Sequence, residues 1–361
     1  MHYTQRNPLP LPESGPRAAV PSAFDTTFDW RYALERRNLL ALYEKGKTAT
    51  WNAADLDWSV EVNLEKMMRD RMGVGFSGVF NEMLRPPRPL EAAESVEMQL
   101  NMNAWMLSQF LHGEQGALLA TAKIVLAAPE EEAKWYAANQ VADEARHVEV
   151  YHRYLTEKLG RSFEVNRELR ALLDQIIADS RWDMTYLGMQ IMVEGLALAA
   201  FGLMRLQMPD EPLIQDITTR IMGDESRHVA FGVLSLEELY REMSAAELRE
   251  REDFIIEATY LMRDRLLMQQ VYERMGWDVD TWVSWARETP FMKGFRQMLF
   301  SKIVPNLRRL GLLTPRVREE YGKIGLLRFE NLKDSTEEAE PLPPAELVQL
   351  LTQLRESPSA A

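Results

Sequence analysis

The chain has 361 residues and, with 55 acidic against 42 basic side chains, a formal net charge of −13 at pH 7. This charge argues against a nucleic-acid partner, which would require a basic face. The chain has no cysteine, which excludes disulfides, thiolate metal ligands and iron–sulfur clusters. We find no apolar run of the ~20 residues that a membrane span needs, and no apolar N-terminal signal segment. We therefore expect a cytoplasmic protein without a membrane partner.

Helical periodicity dominates the chain, and we find no strand pattern. Residues 1–24 are rich in proline and are predicted to form a flexible arm. A helical domain should span 25–331, and residues 332–361, which are acidic and contain prolines, should form a tail with one short helix. The predicted helices lie at about 27–47, 60–84, 90–127, 130–159, 165–179, 181–207, 211–242, 245–275 and 290–310.

The pattern Asp-Glu-x-Arg-His occurs twice, on two of these predicted helices. The copies occupy residues 143–147 and 224–228, and they use two of the five histidines of the chain. On a helix, a Glu and a His three residues apart lie on the same face, so each pair can hold a metal ion from one side. One such pair is weak evidence, but two copies with the same flanking Asp and Arg rarely arise by chance. The pattern indicates a metal site.

Two further glutamates extend the site. Glu114 precedes Glu144 by nearly the same interval as Glu194 precedes Glu225. At about 1.5 Å per residue, a chain that climbs one helix and descends the next returns to the same height after such an interval. Both intervals have a helix-boundary proline near their midpoint, Pro129 and Pro212. The predicted metal ligands are Glu114, Glu144, His147, Glu194, Glu225 and His228.

Four carboxylates and two neutral imidazoles balance the charge of two divalent ions, and mixed oxygen and nitrogen donors suit iron or manganese better than zinc. The predicted metal-site bundle spans about residues 90–242. The order of its ligands resembles the ferritin-like dinuclear-iron carboxylate superfamily, and the resemblance covers about residues 95–240. The resemblance implies an all-α fold, a ferritin-like four-helix bundle with additional N- and C-terminal helices. It also implies a cofactor of two iron ions, or a mixed manganese–iron pair.

The residues next to the ligands strengthen this resemblance. In bacterial multicomponent monooxygenases, the Asp and Arg of the five-residue pattern lie around the metal ligands. By that likeness Asp143 and Asp224 would hydrogen-bond the ligand imidazoles, and Arg146 and Arg227 would offset the charge of those carboxylates. The alternative for these four residues is ordinary ion pairing on the surface of a helical bundle.

Tyr151 follows His147 by one helical turn, the position of the radical-bearing tyrosine in the ribonucleotide reductase small subunit. The resemblance gives it a redox role, whereas the structural alternative is a buried tyrosine with a hydrogen-bond partner. The helix around Glu194 is the most apolar of the chain and contains several small residues. These small residues could line a substrate cavity or permit close helix packing, and they are Gly195, Ala197, Ala199 and Gly202.

No single subfamily fits every position. The reductase small subunit usually has Asp where this chain has Glu114, and multicomponent monooxygenases have Thr where it has Leu198. Arylamine N-oxygenases carry a third histidine at the position of Ile221, and the ligand-binding oxidases need a tyrosine at the position of Met189. The reductase subunit also depends on a tyrosine in its C-terminal tail, whereas Tyr321 is the last tyrosine here.

Three functions are therefore open. The favoured one is an oxygenase or hydroxylase that activates O2 to oxidise a small or medium-sized, mainly apolar organic substrate. Its electrons would come from an external reductase or ferredoxin, because the chain has no flavin motif or iron–sulfur cysteines. The second is a radical-storing subunit, and the third is a ferroxidase or iron-handling protein. A homodimer is also expected.

Overall fold

The computed structural model describes residues 18–71 and 85–337, and within them the chain is helical, without β-strands. The main helices, in chain order, are α1 Arg37–Thr48, α2 Leu64–Arg71, α3 Ala92–Ala127, α4 Glu131–Arg153, α5 Arg167–Ala178, α6 Trp182–Tyr186, α7 Glu194–Gln207, α8 Pro212–Glu242, α9 Ala245–Asp264, α10 Gln269–Arg274, α11 Val279–Glu288, α12 Pro290–Met298, α13 Ile303–Arg309 and α14 Pro315–Lys323. The expected all-α fold class is confirmed.

Two antiparallel helix pairs form the bundle, and proline marks each turn as predicted. α3 ends at Ala127, just before Pro129, and α4 begins at Glu131. In the second pair, Pro212 is in the first turn of α8, where its missing N–H costs nothing. The Glu211 side chain caps this helix by accepting the backbone N–H groups of Leu213 and Ile214 at 3.0 and 2.6 Å. The two turns bring the four glutamate-bearing segments to one level.

The helix that carries Glu194 is interrupted by a π-helical segment. α6 continues into the π segment Leu187–Val193, and α7 starts at Glu194 itself. A π turn adds one residue to the helical register, so it changes the direction in which the next side chain points, and such turns are frequent at functional sites. A second π segment, Tyr154–Leu159, extends α4 beyond the metal-binding pattern.

This helix contains a longer apolar stretch than we expected from the sequence. By length and composition alone, Trp182–Leu206 could cross a membrane, with a mean hydropathy of 1.6. However, 94% of the apolar stretch on which this value is based is buried inside the protein. A fully buried core helix of a large bundle has the same composition.

The first predicted helix, 27–47, starts later than expected, at Arg37. The preceding segment instead runs across the bundle without regular structure, because contacts with other elements satisfy its polar groups. The backbone N–H of Thr27 donates to the carbonyl of Leu126 at 3.0 Å, and that of Arg36 donates to the Glu132 side chain at 2.8 Å. Such long-range bonds are not visible in local periodicity.

The predicted helices 245–275 and 290–310 are each broken. The first is interrupted by a 3₁₀ turn and by Met268, whose φ of 57° lies in the left-handed region. The second ends at Met298 and restarts at Ile303, which places Pro305 in a first helical turn, where its ring is tolerated. The prediction also missed two short helices, α11 and α14.

Three segments of the chain are not described. Residues 1–17, 72–84 and 338–361 lie outside the described residues, so most of the predicted arm, part of the predicted helix 60–84 and most of the predicted tail do too. The beginning of the tail packs on the bundle: Ser335 donates its backbone N–H to Asn306 at 2.9 Å, and Asp334 is buried.

Candidate metal centre

All six predicted ligands come together in the core of the bundle, and each is at most 5% exposed. They form two overlapping groups in which the potential ligand atoms lie within 4.8 Å of one another. The first group is Glu114, Glu144, His147 and Glu225, and the second is Glu144, Glu194 and His228. Because Glu144 belongs to both groups, the cluster can hold two metal ions that share a carboxylate.

The histidines face this shared region through their Nδ1 atoms. Nδ1 of His147 lies 3.3 Å from Oε2 of Glu114, 3.4 Å from Oε2 of Glu144 and 3.3 Å from Oε1 of Glu225. Nδ1 of His228 lies 3.1 Å from Oε1 of Glu144 and 3.7 Å from Oε2 of Glu225. Glu225 therefore contacts both histidines, as a second carboxylate between the two sites would.

Several ligand atoms are buried and lack a hydrogen-bond partner in the described part of the chain. They are Oε2 of Glu144, Oε2 of Glu194, both carboxylate oxygens of Glu225 and Nδ1 of His228. Burying a carboxylate oxygen without a hydrogen-bond partner costs free energy. A cation placed among several such acceptors would stabilise them. The oxygen and nitrogen donors suit iron or manganese, so the residues present fit a dinuclear centre of that kind.

The electrostatics of the cluster point the same way. Burial raises the pKa of Glu114 and Glu194 well above its ordinary value, and the charge of Glu225 adds to the effect. Burial by itself would lower the pKa of both histidines. The neighbouring carboxylates outweigh it, chiefly Glu114 for His147 and Glu144 for His228, and raise the pKa of each imidazole. Protons bound to these side chains therefore balance the negative charge that bound metal ions would otherwise balance.

The two copies of the pattern orient each other's histidine. Nε2 of His147 on α4 lies 3.1 Å from Oδ2 of Asp224 on α8, and Nε2 of His228 on α8 lies 3.3 Å from Oδ2 of Asp143 on α4. In the neutral imidazole that binds a metal, donation from Nε2 leaves the Nδ1 lone pair directed at the carboxylate cluster. Sequence reasoning expected these Asp–His bonds, and the structure adds that they cross from one helix to the other.

The arginines of the pattern neutralise the two aspartates. Arg146 donates to Oδ1 of Asp143, and Arg227 donates to Oδ1 of Asp224, each within its own helix. Burial raises the pKa of Asp224, but the hydrogen bond from His147 and the surrounding positive charges outweigh it and hold the pKa at about 2. The carboxylate therefore stays ionised and can orient the imidazole across the accessible pH range.

Trp51 was not among the predicted site residues. Its indole Nε1 donates to Oδ2 of Asp224 at 2.7 Å, the same oxygen that faces His147. The centroid of its ring also lies 5.4 Å from the guanidinium of Arg146 and 5.6 Å from that of Arg220. Trp51 comes from the irregular stretch between α1 and α2, so no periodicity connected it with the pattern.

Gln140 is a second residue that the sequence reading missed. Its Nε2 donates to Oε1 of Glu144 at 2.8 Å and to Oε1 of Glu194 at 3.0 Å, so one amide holds a glutamate from each helix pair. It lies one turn before Glu144 on the same face of α4. That spacing was a usable signal, although an isolated glutamine carries little information.

Tyr151 is fully buried, and its hydroxyl has no hydrogen-bond partner among the described residues. Its ring packs against Phe110 and Phe201, with centroids 5.9 and 6.1 Å away. Burial raises its pKa well above the ordinary value, and the charge of Glu114 adds to this, so the phenol is protonated. Of the two remaining histidines near the pattern, His112 bonds the carbonyl of Phe163 at 2.9 Å and His152 is exposed.

A small cavity of about 20 Å³, enough for one water molecule, adjoins the ligands. It is lined by Gln109, Phe110, Gly113, Glu114, Ala117, Val193, Glu194, Ala197, Glu225 and Arg265. Of the small residues on α7, Ala197 faces this cavity. Gly195 instead serves close packing, since a Cβ there would come within 3.1 Å of Ile303.

The chain is similar in structure to known proteins. The dimanganese(II) form of NrdF from Streptococcus sanguinis aligns with a TM-score of 0.51 at 14% identity, covering 82% of this chain and 99% of that one. A mutant R2-like ligand-binding oxidase with an anaerobically reconstituted Mn/Fe cofactor aligns with a TM-score of 0.44 at 18% identity, covering 72% of this chain and 92% of that one. The first alignment confirms the ferritin-like bundle. A comparison with curated protein sequences finds no match.

A family model described as p-aminobenzoate N-oxygenase AurF matches residues 117–311, more than half of the chain. The match contains five of the six predicted ligands and begins just after Glu114. It holds although the chain has Ile221, buried and apolar, where arylamine N-oxygenases carry a third histidine. The family match therefore assigns the chain to one family within the superfamily, which the sequence motifs alone did not do. The chain belongs to the p-aminobenzoate N-oxygenase AurF family and is an oxidoreductase of the dinuclear-iron class.

Proposed function

We propose that this protein is a dinuclear-iron oxygenase that uses O2 to oxidise a small or medium-sized, mainly apolar organic substrate. One observation carries the proposal: four glutamates and two histidines form a buried cluster, and several of their ligand atoms lack a hydrogen-bond partner among the described residues. Membership of an N-oxygenase family supports oxidation at nitrogen or carbon rather than iron storage. When bound, a redox-active pair of metal ions supplies the electrons that reduce O2.

The six ligands would form two overlapping sets, one for each metal ion. Glu114, Glu144, His147 and Glu225 would hold one ion, and Glu144, Glu194 and His228 would hold the other. Asp143 and Asp224 fix the imidazole rings, and Gln140 restrains the carboxylates of Glu144 and Glu194. An external reductase or ferredoxin would return the electrons, because the chain has no cysteine for a cluster of its own.

The cavity beside the ligands supports an organic substrate. Part of its lining is apolar and consists of Phe110, Ala117, Val193 and Ala197, which limits the water that can reach the reacting centre. Its volume of about 20 Å³ is smaller than any such substrate, so binding requires side chains of the lining to move. A dry site protects a strong oxidant from being quenched before it meets the substrate.

The proposed function is tested by oxygen uptake and product formation. The iron-loaded, chemically reduced protein should consume O2 and gain near-ultraviolet absorption, and a panel of arylamines that includes p-aminobenzoate should yield an oxygenated product by mass spectrometry. Ala197→Phe should lose product formation, because the ring would fill the cavity, and should keep its metals. Ala122→Phe adds the same bulk at an exposed position of α3 and should behave as wild type. Oxidation and accumulation of many ferrous ions per chain, without any organic product, would favour iron handling instead.

A radical-storing role is the second candidate. The buried hydroxyl of Tyr151, which has no hydrogen-bond partner among the described residues, favours it. On this hypothesis the oxidised protein shows a sharp tyrosyl signal in electron paramagnetic resonance that disappears in Tyr151→Phe. Tyr272→Phe is the matched control, because that hydroxyl is also buried without a partner in the described part of the chain but belongs to α10. Full product formation by Tyr151→Phe, with no radical signal in wild type, would make Tyr151 a core residue.

A further inference from the structure

A run of exposed aromatic side chains lies before α1. Within the described residues, seven large hydrophobic side chains are exposed, and four of them fall between residues 28 and 34. Phe28, Trp30 and Tyr32 are 66%, 73% and 61% exposed. The rings of Phe28 and Trp30 stack on each other, with centroids 5.1 Å apart and planes within 3° of parallel. Scattered apolar side chains are common on a protein surface, but a cluster of large ones indicates a contact surface.

The segment 27–36 that carries these rings is tied to the bundle at both ends. At its start, the backbone N–H of Thr27 donates to the carbonyl of Leu126, at the end of α3, at 3.0 Å. At its end, the backbone N–H of Arg36 donates to the Glu132 side chain in the first turn of α4 at 2.8 Å. Because both ends are fixed, the exposure of the aromatic side chains belongs to the folded chain and is not that of a loose terminus.

Two leucines of α3 extend the apolar face. Leu126 is 44% exposed and lies beside the start of the segment, and Leu119 is 56% exposed. Seven residues, close to two helical turns, separate the two leucines, so both lie on one side of α3. We call the following six side chains the apolar patch: Phe28, Trp30, Tyr32, Leu34, Leu119 and Leu126.

The charges of the aromatic segment are balanced within it. Nε and Nη2 of Arg31 donate to the two carboxylate oxygens of Asp29 at 3.0 and 3.1 Å, and residues 27–34 contain no other charged side chain. The whole chain carries a formal charge of −13, so two copies repel one another over most of their surface. Repulsion between two copies is weakest at a face without net charge, whereas a partner selected by charge finds no unbalanced charge in this segment.

The area of the apolar patch also suits a second copy. A fully exposed aromatic side chain loses about 150–250 Å² of accessible surface when it is covered, so three rings about two-thirds exposed offer roughly 300–500 Å² per copy. The three leucines raise this area toward the ~800 Å² that each partner buries in a stable interface. Tyr, Trp and Phe are also the residues in which such interfaces are enriched.

We propose that the apolar patch is the surface through which two copies of this chain form a homodimer. The contact is two-fold symmetric, so the patch of one copy faces the same patch of the other and each residue contact occurs twice. Since the aromatic segment joins the end of α3 to the start of α4, the dimer would also brace the helix pair that carries Glu114 and Glu144. This inference is independent of the proposed function, because it uses no ligand of the metal centre.

Sedimentation equilibrium of the full chain tests the proposal. Wild type should have twice the chain mass of 41.7 kDa at micromolar concentration. The double variant Phe28→Ser/Trp30→Ser should raise the dissociation constant of the dimer at least about a hundredfold, because interface aromatics contribute much of the binding free energy. Leu332→Ser removes an exposed apolar side chain outside the apolar patch and should remain dimeric. Circular dichroism of both variants should match wild type, since the replaced side chains are exposed.

Cross-linking then locates the contact without disturbing the aromatic rings. The chain has no cysteine, so Ala33→Cys places a single thiol at an exposed position of the aromatic segment. A short bis-maleimide should join two copies through this thiol, whereas Ala246→Cys, exposed in the first turn of α9, should stay uncoupled. A wild type that is monomeric at these concentrations would overturn the proposal. A dimer that the double variant keeps at full affinity, or that both thiols cross-link equally, would place the interface elsewhere and overturn it as well.

Discussion

Replacing Glu144 with glutamine is expected to reduce metal binding from about two ions per chain to traces. Glu144 belongs to both groups of ligand atoms, so its loss removes a donor from each site at once. The amide of glutamine keeps the volume of the side chain but not its negative charge, and the remaining ligands then carry too little charge for two divalent ions. Elemental analysis of iron- and manganese-reconstituted protein measures the effect directly.

Glu132→Gln provides the matched control for this experiment. Glu132 is also a buried glutamate of α4, at 2% exposure, but it accepts the backbone N–H of Arg36 rather than facing the cluster. It should keep both metals. Glu114→Gln and Glu194→Gln, which each belong to one group only, should lose mainly one ion. Retention of two ions by Glu144→Gln would refute a shared carboxylate at this position.

The second large effect is expected from removal of the metals. A ligand present at about a thousand times its Kd stabilises the folded state by about 4 kcal/mol, and two such sites together should change Tm by about 10 °C or more. Chelated protein should therefore unfold well below the metal-loaded form. Differential scanning calorimetry at pH 6 and at pH 8 would show the difference, and it should be larger at pH 8.

The direction of the pH effect follows from the raised pKa values. Glu114 and Glu194 have ordinary values of 4.5, and His147 and His228 have ordinary values of 6.5, and the fold raises all four. A raised pKa means that the folded state binds protons more tightly, so its stabilising contribution is lost as pH rises toward the folded pKa. Chelated protein should thus become less stable from pH 6 to pH 8, while metal-loaded protein should not. Chelated protein whose Tm rises over this range would contradict the clustering of these four groups.

Much of the site could be predicted because the ligands obey helical periodicity. The Glu-x-x-His spacing and the similar intervals before each pair are local facts, and prolines at the midpoints fix the turns. Trp51 could not be selected in this way, and Gln140 only weakly. Trp51 reaches the centre from a segment outside the four bundle helices, and its importance depends on one hydrogen bond to Asp224. Such properties exist only in the folded chain.

The fold itself was predicted best where packing and periodicity agree. The long bundle helices lie within a few residues of their expected bounds, because an apolar stripe and terminal prolines both define them. The C-terminal region differs, since its apolar residues continue through turns that only tertiary contacts create. At Met268 the chain takes a left-handed conformation in the middle of an otherwise helical pattern, which intrinsic propensity disfavours for such a residue.

The crossed bonds between Asp143 and His228, and between Asp224 and His147, make the two copies of the pattern dependent on one another. Each helix supplies a ligand for one ion together with the group that aims the ligand of the other. A single copy, moved alone into another bundle, would bring a histidine with nothing to orient it. Neither copy is therefore expected to persist without the other. Relatives that lose the aspartate of one copy should also lose the histidine of the other.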